Sequence, residues 1–104
     1  MEESNDIVQL LWQASEKRHT CRIVLSREPF PRIIEPYGIV KTSGNQIVLV
    51  CYQTMGLTKA GRGEGYRNLQ LEKILEVEML DSTFEKREDF NPIDGQYKEW
   101  VYHI

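Results

Sequence analysis

Arg32-Ile33-Ile34-Glu35-Pro36-Tyr37-Gly38-Ile39-Val40, Ile47-Val48-Leu49-Val50-Cys51-Tyr52 and Tyr66-Arg67-Asn68-Leu69-Gln70-Leu71-Glu72-Lys73-Ile74 follow one another in a chain of 104 residues. All three phrases are rich in β-branched and aromatic residues, the composition of strands. Pro36 and Gly38 mark an edge position, a bulge or a bend in the first. Ser43-Gly44-Asn45 is a tight turn into the second, whose near-continuous apolar run predicts burial on both sides. Residues 54–65, with Gly56, Gly61, Gly63 and Gly65, read as an exposed hairpin loop before the third.

Working outward, Thr20-Cys21-Arg22-Ile23-Val24-Leu25 predicts a preceding strand, closed by the two prolines of Arg27-Glu28-Pro29-Phe30-Pro31. Before it, Ile7, Leu10, Leu11 and Ala14 recur at helical spacing and predict a helix over about residues 5–17, with Trp12 at the edge of its stripe. Beyond the three phrases, residues 74–80 predict a fifth strand in which Val77 and Met79 alternate with a wet Glu76 and Glu78. Pro92 and Gly95 break the remainder of the chain. The aromatic tail over 84–104 carries Tyr97, Trp100 and Tyr102, and is expected to fold back on the domain or to meet another subunit. One helix and five short strands make a single mainly β domain over 1–104, a small, partly open antiparallel barrel spanning about residues 20–80.

Charge is unevenly distributed within a net −3. Residues 1–18 hold two cations against four acids, residues 19–73 eight against four, and residues 74–104 three against eight. A mildly basic body between acidic ends fits a local anion site better than a duplex-wrapping face. No apolar run approaches the roughly 20 residues of a membrane helix, and the acidic start is unlike a secretory signal, so the expected location is cytoplasmic. Cys21 and Cys51 are expected to be buried, reduced thiols. Their spacing, and that of His19 and His103, gives no zinc pattern, and neither a metal nor a cofactor is expected. No histidine stands in a nucleophile motif, which argues against an enzyme. Gly61-Arg62-Gly63-Glu64-Gly65 precedes a strand rather than a helix, so it lacks the setting of a phosphate loop, although Lys59 and Arg62 can add positive charge nearby.

The better candidates lie on strands, where side-chain direction is defined. Arg67 shares a face with Leu69 and Leu71, so its guanidinium either meets a carboxylate, Glu35 or Glu64, or an external anion. Arg32 and Lys73 stand at strand ends and can converge with it. Tyr37, Tyr52 and Tyr66 offer faces on which bases or sugars stack, and each can equally serve as core.

The order of these phrases resembles the WYL domain. That family shows a short helix and a strand, an Arg-x-x-x-Pro-Tyr-Gly-like phrase, a Trp-Tyr-Leu strand, an Arg-x-Phe-Arg-Leu-Asp-Arg-Ile-like segment and a closing Phe. Residues 32–40 look like the first phrase, Arg67-Asn68-Leu69-Gln70-Leu71-Glu72-Lys73-Ile74 resembles the later one, and Phe84 and Phe90 sit where the closing aromatics belong. The likeness spans about residues 6–92. Ile47-Val48-Leu49 keeps only the Leu of the naming triplet, and Gln70 and Lys73 replace two arginines. The resemblance implies an Sm-like, SH3-type β-barrel that senses a short single-stranded nucleic acid or nucleotide-like anion in a basic pocket and serves bacterial transcription regulation. It carries over Arg32, Arg67 and Lys73 as pocket cations and Gln70 as a neutral replacement. Without the winged helix that usually precedes such a domain, the chain is expected to be a stand-alone module or part of a longer regulator. The alternative is an assembly module that oligomerises through edge strands and the aromatic tail.

Overall fold

The stripe of Ile7, Leu10, Leu11 and Ala14 becomes α1 (Glu2–Lys17), which starts nearer the terminus than residue 5. It is followed by β1 (His19–Leu25), β2 (Arg32–Thr42), β3 (Ile47–Met55) and β4 (Gly65–Gln70). A 3-10 turn (Leu71–Lys73) then leads into β5 (Ile74–Thr83), and β6 (Tyr97–His103) ends the fold. The computed structural model describes residues 2–56 and 64–104 (backbone only over 2–5), so Lys59, Arg62 and most of the glycine-rich loop lie outside the described residues.

The sheet is antiparallel throughout, in the order β4-β3-β2-β1-β5, with β6 added to β2. It does not close: among the described residues no ladder joins β4 to β5, which stand at its two ends. Six strands replace the five expected. The sixth is hard to see in the sequence because register shifts between Ile39 and Val40 and between Lys41 and Thr42 break its two-residue rhythm. Its inward groups, Tyr97, Trp100 and Tyr102, therefore fall at spacings of three and two rather than in strict alternation.

β2 is interior, not an edge. On one side it pairs with β3 along most of its length. On the other it pairs with β1 from Arg32 to Ile34 and with β6 from Gly38 onward. Pro36 falls in the gap between those two ladders, where its missing N–H costs no sheet bond. The register shift between Pro36 and Gly38 is the bulge that its residues suggested.

Gly38 has a separate task. A Cβ there would come within 2.5 Å of the Tyr102 carbonyl oxygen, 2.7 Å of Trp100 Cζ3 and 2.9 Å of His103 Cα. Two of these are backbone atoms and cannot swing aside. Gly38→Ala is therefore expected to push β6 off β2 and destabilise the fold by about 2–3 kcal/mol. A urea-unfolding midpoint unchanged from the parent would contradict that close approach.

The two faces of the sheet carry separate cores. Leu11 and Ala14 of α1 close over Ile23, Ile34, Ile39, Leu49 and Tyr102 on one face. Tyr37, Val40, Val48, Val50 and Phe90 form the other, edged by Phe84, Tyr97 and Trp100. β3 feeds both, which is why Val48 to Cys51 are all buried. The tail reaches the helix as well. The Ser15 hydroxyl lies 2.8 Å from the Leu11 carbonyl oxygen and 2.9 Å from the Tyr102 hydroxyl. Trp12, 39% exposed, stacks on the Tyr102 ring at 4.8 Å. Among the described residues no helix is long and apolar enough to cross a membrane.

Candidate functional site

Between the β1–β2 turn, the β2–β3 turn and the end of β4 runs an open groove of about 1160 Å³. The β1–β2 turn supplies Ser26, Arg27 and Glu28, the start of β2 supplies Arg32, and the end of β4 with the 3-10 turn supplies Asn68, Leu69, Gln70 and Lys73. Thr42, Ser43, Gly44 and Gln46 of the β2–β3 turn form the far end. The Ser26 amide donates to the Lys73 carbonyl oxygen at 2.8 Å, tying the β1–β2 turn to the 3-10 turn. This one bond sets the two cationic lips side by side.

The turn that carries Arg27 is strained. The Glu28 amide donates to the Leu25 carbonyl oxygen at 3.2 Å, which puts Arg27 at the third position of a β-turn, with φ of 66°. Glycine or asparagine fits that left-handed region more cheaply, by about 1 kcal/mol or more. An exposed arginine stands there instead.

Arg32 is the most ordered cation of the groove. Its Nε and Nη2 donate to both oxygens of Glu28 at 3.0 and 2.7 Å, and its Nη1 donates to Gln53 Oε1 at 2.9 Å. Its side chain is only 12% exposed. Gln53 is fully buried and its Nε2 has no hydrogen-bond partner among the described residues. The groove lining thus holds Arg27, Arg32 and Lys73 against the single carboxylate of Glu28. A bidentate guanidinium–carboxylate pair orients Arg32 while offsetting its charge, so Arg27 and Lys73, both exposed, supply the net positive field.

Of the residues selected from sequence, Arg32, Gln70 and Lys73 meet here and Arg67 does not. Arg67 faces Cys51 across the β3–β4 ladder, about 10 Å along the strand from Gln70. Its guanidinium donates to the carbonyl oxygens of Tyr66 at 2.9 Å and Glu64 at 3.4 Å.

The tyrosines do not line this groove: Tyr37 lies in the second core, Tyr52 packs against it, and Tyr66, 36% exposed, meets both rings edge-on. Tyr37 is fully buried and its hydroxyl accepts the Arg87 amide at 2.8 Å. The Tyr52 ring is covered by the Arg87 guanidinium at 3.5 Å from its centroid, and Tyr66 donates to Asp89 Oδ1 at 2.6 Å. Glu35, one of the two carboxylates offered for Arg67, pairs with Arg87 through bonds of 3.1 and 3.2 Å. Burial and the Asp89 carboxylate push the Tyr66 hydroxyl well above its usual range, and the Glu35 bond holds the Arg87 guanidinium more firmly charged. This cluster fastens the 84–90 segment to the sheet.

Two residues emerge only with the fold. Arg27 had a local signal, a cation in a proline-closed turn. Arg87 had none, because its partner Glu35 is 52 residues away. Among the described residues no group of three or more His, Cys, Asp or Glu side chains comes together. No family model, curated protein or solved structure matches the chain.

Proposed function

We propose that the chain is a non-catalytic sensing module of WYL type that binds a short single-stranded nucleic acid or nucleotide-like anion in the groove between the β1–β2 turn and the 3-10 turn. The observation that carries this reading is the convergence of Arg27, Arg32 and Lys73 on one open groove of about 1160 Å³. A groove of that size exceeds what one small anion needs and suits several linked phosphates or a nucleotide with its sugar. Gln70 and Asn68, lining the same wall, offer amides for ribose or base edges. An Sm-like, SH3-type barrel is the finer description we favour. It is supported by the strand order β4-β3-β2-β1-β5 and by the 3-10 turn that links the two end strands. In this reading the tyrosines serve the core, and Arg27 takes the pocket role that the family likeness gave to Arg67.

Fluorescence anisotropy with labelled short oligonucleotides, and competition by ATP, tests the reading. Binding is expected at low salt and should weaken as salt rises. Arg27→Ala and Lys73→Ala should each lower affinity roughly three- to tenfold, since charge-assisted contacts at exposed sites contribute about 1 kcal/mol. Both residues are exposed and leave the core untouched. No binding at low salt, or the same affinity in the double variant, would remove the idea.

A further inference from the structure

The acidic face of this protein offers a second kind of surface. β5 pairs on one side with β1, and among the described residues nothing pairs with its other side. Beside that edge, between β5 and the start of α1, lies a cleft of about 450 Å³ lined by Asp6, Ile7, Leu10, Leu75, Glu76 and Val77. Four of the six are apolar and two are carboxylates. Leu75, second in β5 and left out of the β1 register between Ile74 and Glu76, is 58% exposed.

We propose that this edge and cleft dock an extended peptide whose side chains alternate between apolar and cationic. An added strand would satisfy the free N–H and C=O groups of β5, as β-augmentation does elsewhere. Its residues facing α1 would fill the cleft over Ile7, Leu10 and Leu75. Its alternate residues would run along the carboxylates of the outer face.

Charge selects the occupant. Glu72, Glu76, Glu78, Asp81 and Asp6 surround the edge, against Lys73 and an Arg22 that stands 3.7 Å from Glu78. A second copy pairing β5 to β5 would set Glu76, Glu78 and Asp81 against their own kind, which is destabilising for residues opposed across strands. Pairing β5 with the β4 of a second copy would bring a single cation, Arg67, which is held on the carbonyl oxygens of Tyr66 and Glu64. A separate basic peptide meets neither objection. The surface is of opposite polarity to the groove beside the 3-10 turn, and the two sites stand or fall independently.

The probe is a capped peptide of alternating lysine and valine as long as β5, titrated into the isotope-labelled full chain and followed by amide chemical shifts. Shifts are expected along β5 and the first turns of α1, with a Kd on the order of 10–100 µM. Glu76→Lys and Leu75→Ser should each weaken binding roughly tenfold, and the exposure of both sites lets the variants fold, which their own spectra would verify. A glutamate–valine peptide should not bind. Equal binding of that acidic peptide, shifts confined to other strands, or sedimentation showing that the chain self-associates through β5 would each overturn the proposal.

Discussion

A chain ended after Pro92 is expected to lose cooperative folding altogether. The deletion removes β6, and with it the five pairings to the second half of β2. It removes Tyr102, 8% exposed, whose ring packs in the core under α1 and stacks on Trp12. It also removes Tyr97, Trp100 and Ile104 from the rim of the second core. Fully burying a side chain of this size stabilises by about 1.5–3 kcal/mol. One buried and three half-buried side chains, lost together with the β2–β6 ladder, are a large share of the about 5–15 kcal/mol that holds a small domain folded. The remaining chain would also leave the upper part of β2 without a neighbour on one side. Thermal melting followed by circular dichroism should show no sharp transition. Val101→Ser, at a position 50% exposed on β6, is the control and should melt like the parent. A truncated chain with a cooperative transition close to the parent's would show that the tail is an accessory rather than part of the sheet.

Raising the pH above 9 should progressively destabilise the protein. Cys21 and Cys51 are free and buried. Burial pushes each thiol from 9.0 up to about 12, and for Cys51 it outweighs the opposing pull of Arg32 and Arg67. In the unfolded chain the thiols ionise near pH 9, whereas the folded state keeps its protons to about pH 12. Above pH 9 the unfolded state therefore binds fewer protons, and stability falls with rising pH between 9 and 12. The hydroxyls of Tyr66 and Tyr102 are raised by burial too and act in the same direction. The same burial makes the native thiols inert. At about pH 8 alkylation should run roughly a thousandfold slower than in urea-unfolded chain, because the thiolate is the nucleophile. Urea midpoints measured across the alkaline range, beside a timed iodoacetamide reaction, test both statements. A flat midpoint, or native thiols reacting at the unfolded rate, would place the cysteines nearer the solvent than their packing implies.

The helix and five of the six strands are legible in the sequence because local composition and period write them. Val77 and Met79 alternate with exposed Glu76 and Glu78 in the sequence as in the sheet. β6 is not legible as a strand, since its pattern matches β2 only after two register shifts. The candidate site divides in the same way. Arg32, Gln70 and Lys73 can be grouped from sequence because strand ends and a 3-10 turn bring them together, while Arg67 and the three tyrosines share chain neighbourhood with them but not a surface. Arg27 and Arg87 enter only with the fold.

By itself, then, the sequence determined which residues alternate, where the chain must turn and which thiols had to be sheltered. Tertiary structure alone decided that β2 exchanges β1 for β6 at Pro36, that Glu35 answers Arg87 rather than Arg67, and that the groove gathers Arg27, Arg32 and Lys73 but none of the three tyrosines. The physical reason is the reach of the interactions. A two-residue period fixes which neighbours share a face, but which face is covered, and by what, depends on contacts between residues tens of positions apart, as with the 52 that separate Glu35 from Arg87.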